Sequence, residues 1–193
     1  FSYADGSLVG NGTWFSHSGT AGDLLVVGGQ AVVTHGTPSE DVTLPFAANA
    51  GGDLFFSFDF SVDDLGAPYS GGTDFEYFAH FKDDGFGFRG RMDIVAPNGA
   101  GDYTVGISSI GSTADVVYPL DMTYGTTYNV IVRYDQTANI AQMWIDASMD
   151  TDLSITGTDQ ADPGTTITGF ALRQSDSTMN ETIRVDNVVV SDS

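Results

Sequence analysis

Cysteine is absent from this 193-residue chain, and good helix formers are scarce, with one Lys and three Glu beside 24 Gly. Without cysteine the chain can form neither a disulfide framework nor a thiolate metal site. A composition poor in helix formers and rich in Gly favours strands joined by tight turns. No apolar run approaches the roughly 20 residues of a membrane-spanning helix. The absences therefore favour an all-β protein.

Basic residues are also few: six Lys plus Arg stand against 26 Asp plus Glu, which gives a formal net charge of -20. This balance argues against nucleic acid as a partner, because neutralising phosphates needs a broad basic stripe. Three of the six nevertheless fall close together, as Lys82, Arg89 and Arg91, just after His80. The cluster indicates either a binding site for an anion or a set of cross-strand ion pairs.

An acidic, lysine-poor surface suits salty surroundings, where counter-ions screen self-repulsion over about 8–10 Å. The chain begins at Phe1 with no charged and apolar leader, which is consistent with a processed export signal or an excised module. We expect a secreted or cell-surface protein of a marine bacterium, with flanking domains in a larger protein.

Alternating apolar residues recur along the whole chain and predict strands. The segment 53–62 reads DLFFSFDFSV, and 127–134 reads TYNVIVRY before a turn into IAQMWID at 140–146. Gly28-Gly29 can supply the positive φ angles of a hairpin turn. About a dozen strands and no helix predict two antiparallel sheets packed face to face, in one domain over 1–193. The expected core residues are Phe56, Phe58, Phe60, Val130, Val132, Val185 and Val189.

Two stretches resemble known families. The segment 127–148, TYNVIVRYDQTANIAQMWIDAS, resembles the paired strands of concanavalin-like and laminin-G-like jelly rolls. The chain ends, FSYADGSLVGNGTW and TIRVDNVVVSDS, resemble those of β-sandwich carbohydrate-binding modules. The resemblance implies an all-β jelly-roll sandwich, a fold that hosts glycan binders, lyases, hydrolases and adhesion modules.

The same resemblance implies a structural calcium that ties the first strand to the last. Carried over onto this chain, the carboxylate ligands would be Asp5 and Asp186, and calcium needs six to eight oxygens. Ala4-Asp5-Gly6 departs from the family pattern, which has Glu two residues before Gly. The alternative is that Asp5 is a turn former and Asp186 a strand residue without a metal.

Catalytic motifs are weak. The E-x-D-x-x-E strand that concanavalin-like hydrolases use is absent, and Asp74-Phe75-Glu76 is the nearest arrangement. A polysaccharide lyase needs a residue that neutralises a uronate and a Tyr or His for proton transfer, and Tyr77, His80, Arg89 and Arg91 supply those types. The sequence around them does not match jelly-roll alginate lyases, so an enzyme is the less favoured interpretation.

Glycan binding needs only aromatic platforms with polar neighbours. If the strands 74–82 and 86–95 are neighbours, their polar faces merge into one surface for a sulfated or uronic glycan. Trp144, with Gln142 and Asp146, offers a second aromatic surface. We therefore predict a non-catalytic polysaccharide-binding module, the alternatives being a lyase or hydrolase of the same fold and a structural or adhesion module. The predicted ligand-binding residues are Glu76, Tyr77, His80, Lys82, Arg89, Arg91 and Trp144.

Overall fold

The computed structural model describes residues 1–36, 39–71, 77–160, 164–174 and 181–192, which form fifteen strands and no helix. The strands are β1 (Gly6–Ser7), β2 (Phe15–Ser18), β3 (Leu25–Val27), β4 (Gln30–Thr34), β5 (Asp41–Asn49), β6 (Asp53–Val62), β7 (Tyr77–Lys82), β8 (Phe88–Val95), β9 (Thr104–Ser108), β10 (Val116–Val117), β11 (Tyr128–Asp135), β12 (Ile140–Ile145), β13 (Ser154–Thr156), β14 (Ile167–Arg173) and β15 (Thr182–Ser191). The described residues contain no apolar helix of membrane-spanning length.

Two antiparallel sheets make up the structure. The eight-stranded sheet has the order β1-β3-β4-β15-β6-β11-β12-β13, and the seven-stranded sheet has the order β10-β9-β8-β7-β14-β5-β2. Neighbours in space are often distant in sequence, as with β15 between β4 and β6, or β14 between β7 and β5. The predicted two-sheet antiparallel jelly-roll sandwich is confirmed.

The core lies between the sheets and is rich in phenylalanine. Alternate residues of β6, from Leu54 to Val62, are buried, as the period-two pattern predicts. The ring of Phe56 lies 5.0 Å from that of Phe81 and 4.9 Å from that of Phe170, both on the other sheet. Such aromatic pairs each contribute about 0.5–1.5 kcal/mol beyond the area that they bury. The core therefore fixes how the two sheets face each other.

Both predicted hairpins are present. Gly28 and Gly29 adopt φ angles of 59° and 82° between β3 and β4, as a two-residue primed turn requires. Strands β11 and β12 pair from Val130 opposite Ile145 to Asp135 opposite Ile140.

The prediction that Val189 belongs to the core is wrong. Val189 is 57% exposed, although Val185, on the same strand, is fully buried. The ladder between β15 and β6 shifts register between Asp186 and Val189, where Asn187 has a φ of 53°. The extra residue reverses the alternation, because side chains change face at every position of a strand. The other six expected core residues are buried.

Candidate functional site

Strand β7 presents polar side chains on the side of the seven-stranded sheet that faces away from the core. Phe81 packs on Phe56 of the opposite sheet, so His80 and Lys82 on either side of it face outward. The ladder between β7 and β8 is irregular in its first half. The irregularity brings Tyr77, three residues before His80, onto the same face, and their rings lie 5.4 Å apart.

Strands β8 and β14 complete this surface. Phe88 lies opposite Lys82, and its ring is 4.4 Å from that of His80. The guanidinium carbons of Arg91 and Arg173 lie 4.6 and 4.3 Å from the ring centre of Tyr77. We call this surface the outer face; it consists of Tyr77, His80, Lys82, Phe88, Arg91 and Arg173.

Arg91 is held by aromatic rings rather than by an acid. Its guanidinium lies over Tyr77 and also 5.3 Å from the ring centre of Phe88. Within the described part of the chain, no carboxylate lies within 4.0 Å of it. Burial lowers the pKa of Arg91, while Tyr77 and Asp93 oppose that shift. Since an arginine pKa starts far above neutral pH, the side chain stays cationic. Among the described residues, no ion pair neutralises this charge.

His80 is fully buried beneath Phe88 and Tyr77. Its Nδ1 lies 3.0 Å from the Phe81 carbonyl oxygen, which can only accept, so Nδ1 carries the proton. Burial lowers the pKa of His80 well below its usual range; the bond to Phe81 opposes this, and the charge of Arg91 adds to it. The ring is therefore neutral, and its buried Nε2 has no hydrogen-bond partner among the described residues.

A pocket of about 450 Å³ opens at one end of the outer face. We call it the Phe86 pocket; its lining includes Phe15, His17, Thr43, Lys82, Phe86 and Thr168. The Phe86 side chain is 72% exposed and Phe15 is 43% exposed. Asp83 holds the β7–β8 loop by accepting bonds of 2.8 Å from the amides of Gly85 and Gly87. The loop thus presents Phe86 in a fixed position.

The polar side chains of the Phe86 pocket are those of His17, Lys82, Asp84, Thr43 and Thr168, and the histidine is neutral. His17 Nδ1 lies 2.7 Å from Thr43 Oγ1, and burial, with the charge of Lys82 adding to it, lowers the pKa of His17 to about 4. Lys82 donates from Nζ to the Asp83 carbonyl oxygen at 2.6 Å. Burial lowers the pKa of Lys82, against the opposing charges of Asp83 and Asp84.

Six groups on this side of the sheet have shifted pKa values. Asp41 on β5 is an example, since burial raises its pKa to about 6 although Arg173 opposes the shift. Burial also raises the pKa of Tyr77. Groups with perturbed pKa values cluster at functional sites, although ion-pair networks can cluster them too. The groups concerned here are His17, Asp41, Tyr77, His80, Lys82 and Arg91.

Arg89 does not share a face with Arg91, contrary to the sequence-based expectation. It lies opposite Phe81, a core residue, and donates to Thr165 Oγ1 at 2.6 Å and to the Phe88 carbonyl oxygen at 2.8 Å. Gly90, with a φ of 58°, forms the local distortion that separates the two arginines. Arg89 is only 6% exposed, at the margin of the core.

Two predicted ligand residues remain, Glu76 and Trp144. Glu76 is outside the described residues. Trp144 lies on β12 of the eight-stranded sheet, on the opposite side of the molecule, and donates from Nε1 to the Asp150 carbonyl oxygen at 3.2 Å. Trp144 therefore cannot contribute to a site on the outer face.

The two residues of the predicted calcium site have protein partners. Asp5 accepts a bond of 2.8 Å from the Gly28 amide, and Asp186 accepts from the Asn187 amide at 2.7 Å and from the Phe1 amino group. No group of three or more His, Cys, Asp or Glu converges among the described residues. Asp5 and Asp186 alone do not fit a calcium ion, which needs six to eight oxygens. The calcium remains a prediction.

Sequence reasoning missed His17 and Arg173. Their strands, β2 and β14, are far from β7 in the chain and reach the outer face only through the sheet order. No local sequence pattern distinguishes either residue, so the sequence gives no signal that they lie near β7. Phe86 lies between Lys82 and Arg89 in the chain, but no sequence pattern marks it as the exposed edge of a pocket.

Comparisons with known proteins define the fold. No protein-family model and no curated protein matches the sequence. Among solved structures, the chain is similar to the Lotus tetragonolobus seed lectin, with a TM-score of 0.59, 12% identity, and coverage of 94% of this chain and 93% of the lectin. The potassium-bound carbohydrate recognition domain of Emp46p gives a TM-score of 0.55, 10% identity, and coverage of 93% and 88%.

An alginate lyase of polysaccharide lyase family 7 is similar to the same extent, with a TM-score of 0.54, 12% identity, and coverage of 93% of this chain and 82% of the lyase. These similarities confirm the concanavalin-like jelly roll. Binders and a lyase share it, so the similarity of fold does not choose between recognition and catalysis.

Proposed function

We propose that this protein is a non-catalytic carbohydrate-binding module that recognises an acidic polysaccharide on its outer face. The observation that carries the proposal is Arg91, a cation on an aromatic bed with no carboxylate within ion-pair distance among the described residues. A guanidinium in that position can make paired hydrogen bonds to a carboxylate or sulfate.

The distribution of charge supports an anionic ligand. Four of the six basic residues lie on three neighbouring strands of the seven-stranded sheet, as Lys82, Arg89, Arg91 and Arg173. The remaining two are paired on the other sheet, Arg133 with Asp53 at 2.9 Å and Arg184 with Asp63 at 2.7 Å. In a chain of net charge -20, this sheet is where a polyanion meets the least repulsion.

The Phe86 pocket supplies the contacts that a sugar ring needs. Pyranose rings stack their apolar C–H faces on aromatic side chains, while polar side chains bond their hydroxyls. Phe15 and Phe86 offer exposed rings, and Thr43, Thr168 and His17 offer polar groups beside them. His17 and Lys82 connect this pocket with the rest of the outer face. A chain of sugars can therefore lie along both.

The proposal extends to the setting of the protein. We infer a secreted or cell-surface module of a marine bacterium, carried in a larger protein and stabilised by calcium. The acidic, lysine-poor composition supports salty surroundings, where counter-ions screen the repulsion among carboxylates.

The test compares Arg91→Gln with the wild type in calorimetric titrations against a polyuronate, dextran sulfate and uncharged dextran. We expect wild-type binding to one of the anionic polymers and a loss of about 1–3 kcal/mol in the variant, the scale of a hydrogen bond to a charged group. The matched control is Arg184→Gln, which removes a paired arginine from the other sheet. Equal binding by wild type and Arg91→Gln would contradict the proposal.

A specific observation favours a second function, β-elimination in an acidic polysaccharide. Tyr77 and His80 are 5.4 Å apart, with Arg91 and Arg173 beside Tyr77, so a proton-transfer pair and carboxylate-neutralising groups are together. Against it, His80 is fully buried and Tyr77 is 4% exposed. The polyuronate titrations therefore include a reading of ultraviolet absorbance. If wild type forms an unsaturated product and Tyr77→Phe does not, the protein is a lyase and the proposal of a non-catalytic module is wrong.

A further inference from the structure

A second pocket lies on the opposite side of the sandwich, on the outer surface of the eight-stranded sheet. A cross-strand row runs from Val189 on β15 through Ser57 on β6 and Ile131 on β11 to Trp144 on β12. Above this row is a pocket of about 380 Å³, which we call the Trp144 pocket. Its lining is Phe55, Ser57, Ile131, Trp144, Ala147, Ser148, Met149, Asp150, Val189 and Ser191.

The wall of the Trp144 pocket is fixed by the protein itself. Asp152 accepts bonds from the amides of Ser148 and Met149 at 2.8 and 3.1 Å, and the Asp150 carbonyl oxygen accepts from Trp144 Nε1 at 3.2 Å. These bonds hold the 146–152 loop over the sheet. A site that is shaped before its ligand arrives loses less conformational entropy on binding.

The chemistry of the lining selects the ligand. The floor is mostly apolar, and Val189 and Met149 at its edge are 57% and 59% exposed, among the most exposed large apolar side chains described. Three serines contribute hydroxyls to the lining, Ser57 within the row itself and Ser148 and Ser191 outside it, and Gln142 follows in the next row beside Arg133. A mostly apolar surface that also carries hydroxyls matches the faces and edges of a pyranose ring better than it matches a hydrocarbon.

Charge excludes two other occupants. Asp150 is the one charged residue of the lining, so an anionic glycan gains no attraction here. A second copy of the chain would bring another net charge of -20 to the same surface, and that repulsion opposes self-association. An uncharged sugar meets neither penalty.

We propose that the Trp144 pocket binds a neutral sugar residue of a glycan, as a second site separate from the outer face. The two sites lie on opposite sides of the sandwich, so one molecule can engage two polysaccharide chains or two segments of one. Simultaneous engagement raises the apparent affinity for a polymer above that for a short oligosaccharide.

The first test follows the fluorescence of Trp144 in a Trp14→Phe variant, in which Trp144 is the one remaining tryptophan. The probes are neutral oligosaccharides of three kinds: β-1,4-glucans, β-1,3-glucans and β-1,4-mannans. We expect a saturable change with at least one of them. No change with all three would overturn the proposal.

The second test places a charge in the pocket. Val189→Asp should weaken binding of the same oligosaccharide at least about tenfold, because the ligand would desolvate an unpaired carboxylate. Val27→Asp is the matched control, since Val27 is 43% exposed on β3 of the same sheet, outside the pocket. Calorimetric titration without the Trp14 substitution gives the same comparison. Equal binding by Val189→Asp and Val27→Asp would overturn the proposal.

Sedimentation distinguishes sugar binding from the remaining alternative, in which a second copy of the chain occupies the pocket. A wild-type dimer that Val189→Asp converts to a monomer would show that the pocket is a self-association surface and would overturn the proposal. The effect of Arg91→Gln on anionic polymers tests the outer face, and the effect of Val189→Asp on the neutral oligosaccharide tests the Trp144 pocket, so the two sites fail or succeed separately.

Discussion

Aspartate side chains close many of the loops of this protein. Asp159 accepts bonds from the amides of Ser109, Ile110 and Gly111 at 2.7–3.0 Å. Asp121 accepts from the amides of three residues of the 98–101 loop in the same way. The short side chain of aspartate reaches nearby backbone amides, which glutamate does less well. The loop contacts thus give a reason for the excess of Asp over Glu in the composition.

Removal of one such carboxylate should destabilise the protein. We expect Asp159→Ala to lower the free energy of unfolding by about 1–3 kcal/mol, because the amide of buried Ser109 and its two neighbours lose their acceptor. Urea unfolding measures the change, and Asp192→Ala, at an exposed position, is the control. A loss no larger than that of the control would mean that water replaces the carboxylate without cost.

Asp41 should make the free energy of unfolding depend on pH in the direction opposite to that expected for a salt-bridged carboxylate. Burial raises its pKa from 3.8 to about 6 in the folded state, so folding takes up a proton between these values. Its contribution to stability is therefore full at low pH and is lost as the pH rises through about 6. Asp41→Asn should be more stable than wild type at neutral pH, by at most about 3 kcal/mol.

Urea unfolding of wild type and Asp41→Asn at about pH 4 and about pH 7 checks this expectation. The advantage of the variant should shrink at the lower pH, where Asp41 is protonated in the folded wild type. An advantage that is the same at both pH values would show that Asp41 does not titrate in this range.

At the scale of the element, irregular strand positions decide which side chains reach the outer face and the Trp144 pocket. The distortion at Gly90 sends Arg89 to the margin of the core and Arg91 to the outer face. The one at Asn187 turns Val189 outward into the Trp144 pocket. Bulges are common next to functional sites because they redirect side chains without breaking the sheet.

Substitution of Gly90 should therefore affect both stability and binding. Gly90 has a φ of 58° and its added Cβ would lie 3.6 Å from Val132, so Gly90→Ala should cost about 1–2 kcal/mol of stability and weaken binding of the anionic polymer. Gly125→Ala is the control, because its φ is 69° and its Cβ would meet open space. Equal effects of both variants on binding would show that the Gly90 geometry does not position Arg91.

At the scale of the whole molecule, the net charge of -20 makes the protein sensitive to cations. Screening by monovalent salt acts on all the carboxylates, whereas a bound calcium ion would act at one place and stabilise only the folded state. The two effects can be separated at fixed ionic strength.

If calcium ties the chain ends near Asp5 and Asp186, a chelator should lower the melting temperature at constant ionic strength. For a domain of this size, 1 kcal/mol corresponds to about 2–4 °C, so a site that is well occupied should give a shift of several degrees. Readdition of calcium, with magnesium as the control, should restore the original value. An unchanged melting temperature, with no calcium found by elemental analysis, would remove calcium from the description.

The sequence by itself determined most of the strands and most of the core, although not β5 (Asp41–Asn49). Alternation along β6 and β11 marks which side chains face inward, and the Gly28-Gly29 pair marks a hairpin, because both signals depend on residues that are neighbours in the chain. The basic cluster was visible for the same reason. Periodicity could not locate the bulges, however. A bulge adds one residue to a strand and reverses the face of every later side chain, and the alternating pattern does not show where that residue is added.

Only the tertiary structure decided which residues share the outer face. The order of strands places β14 beside β7, so Arg173 meets Tyr77, and it places β2 beyond β5, so His17 meets Thr43. It also puts Trp144 on the opposite sheet and Arg89 against the core margin. Sheet order and bulges arise from how the two sheets pack over the phenylalanine core, and that packing joins residues that no local pattern in the sequence connects.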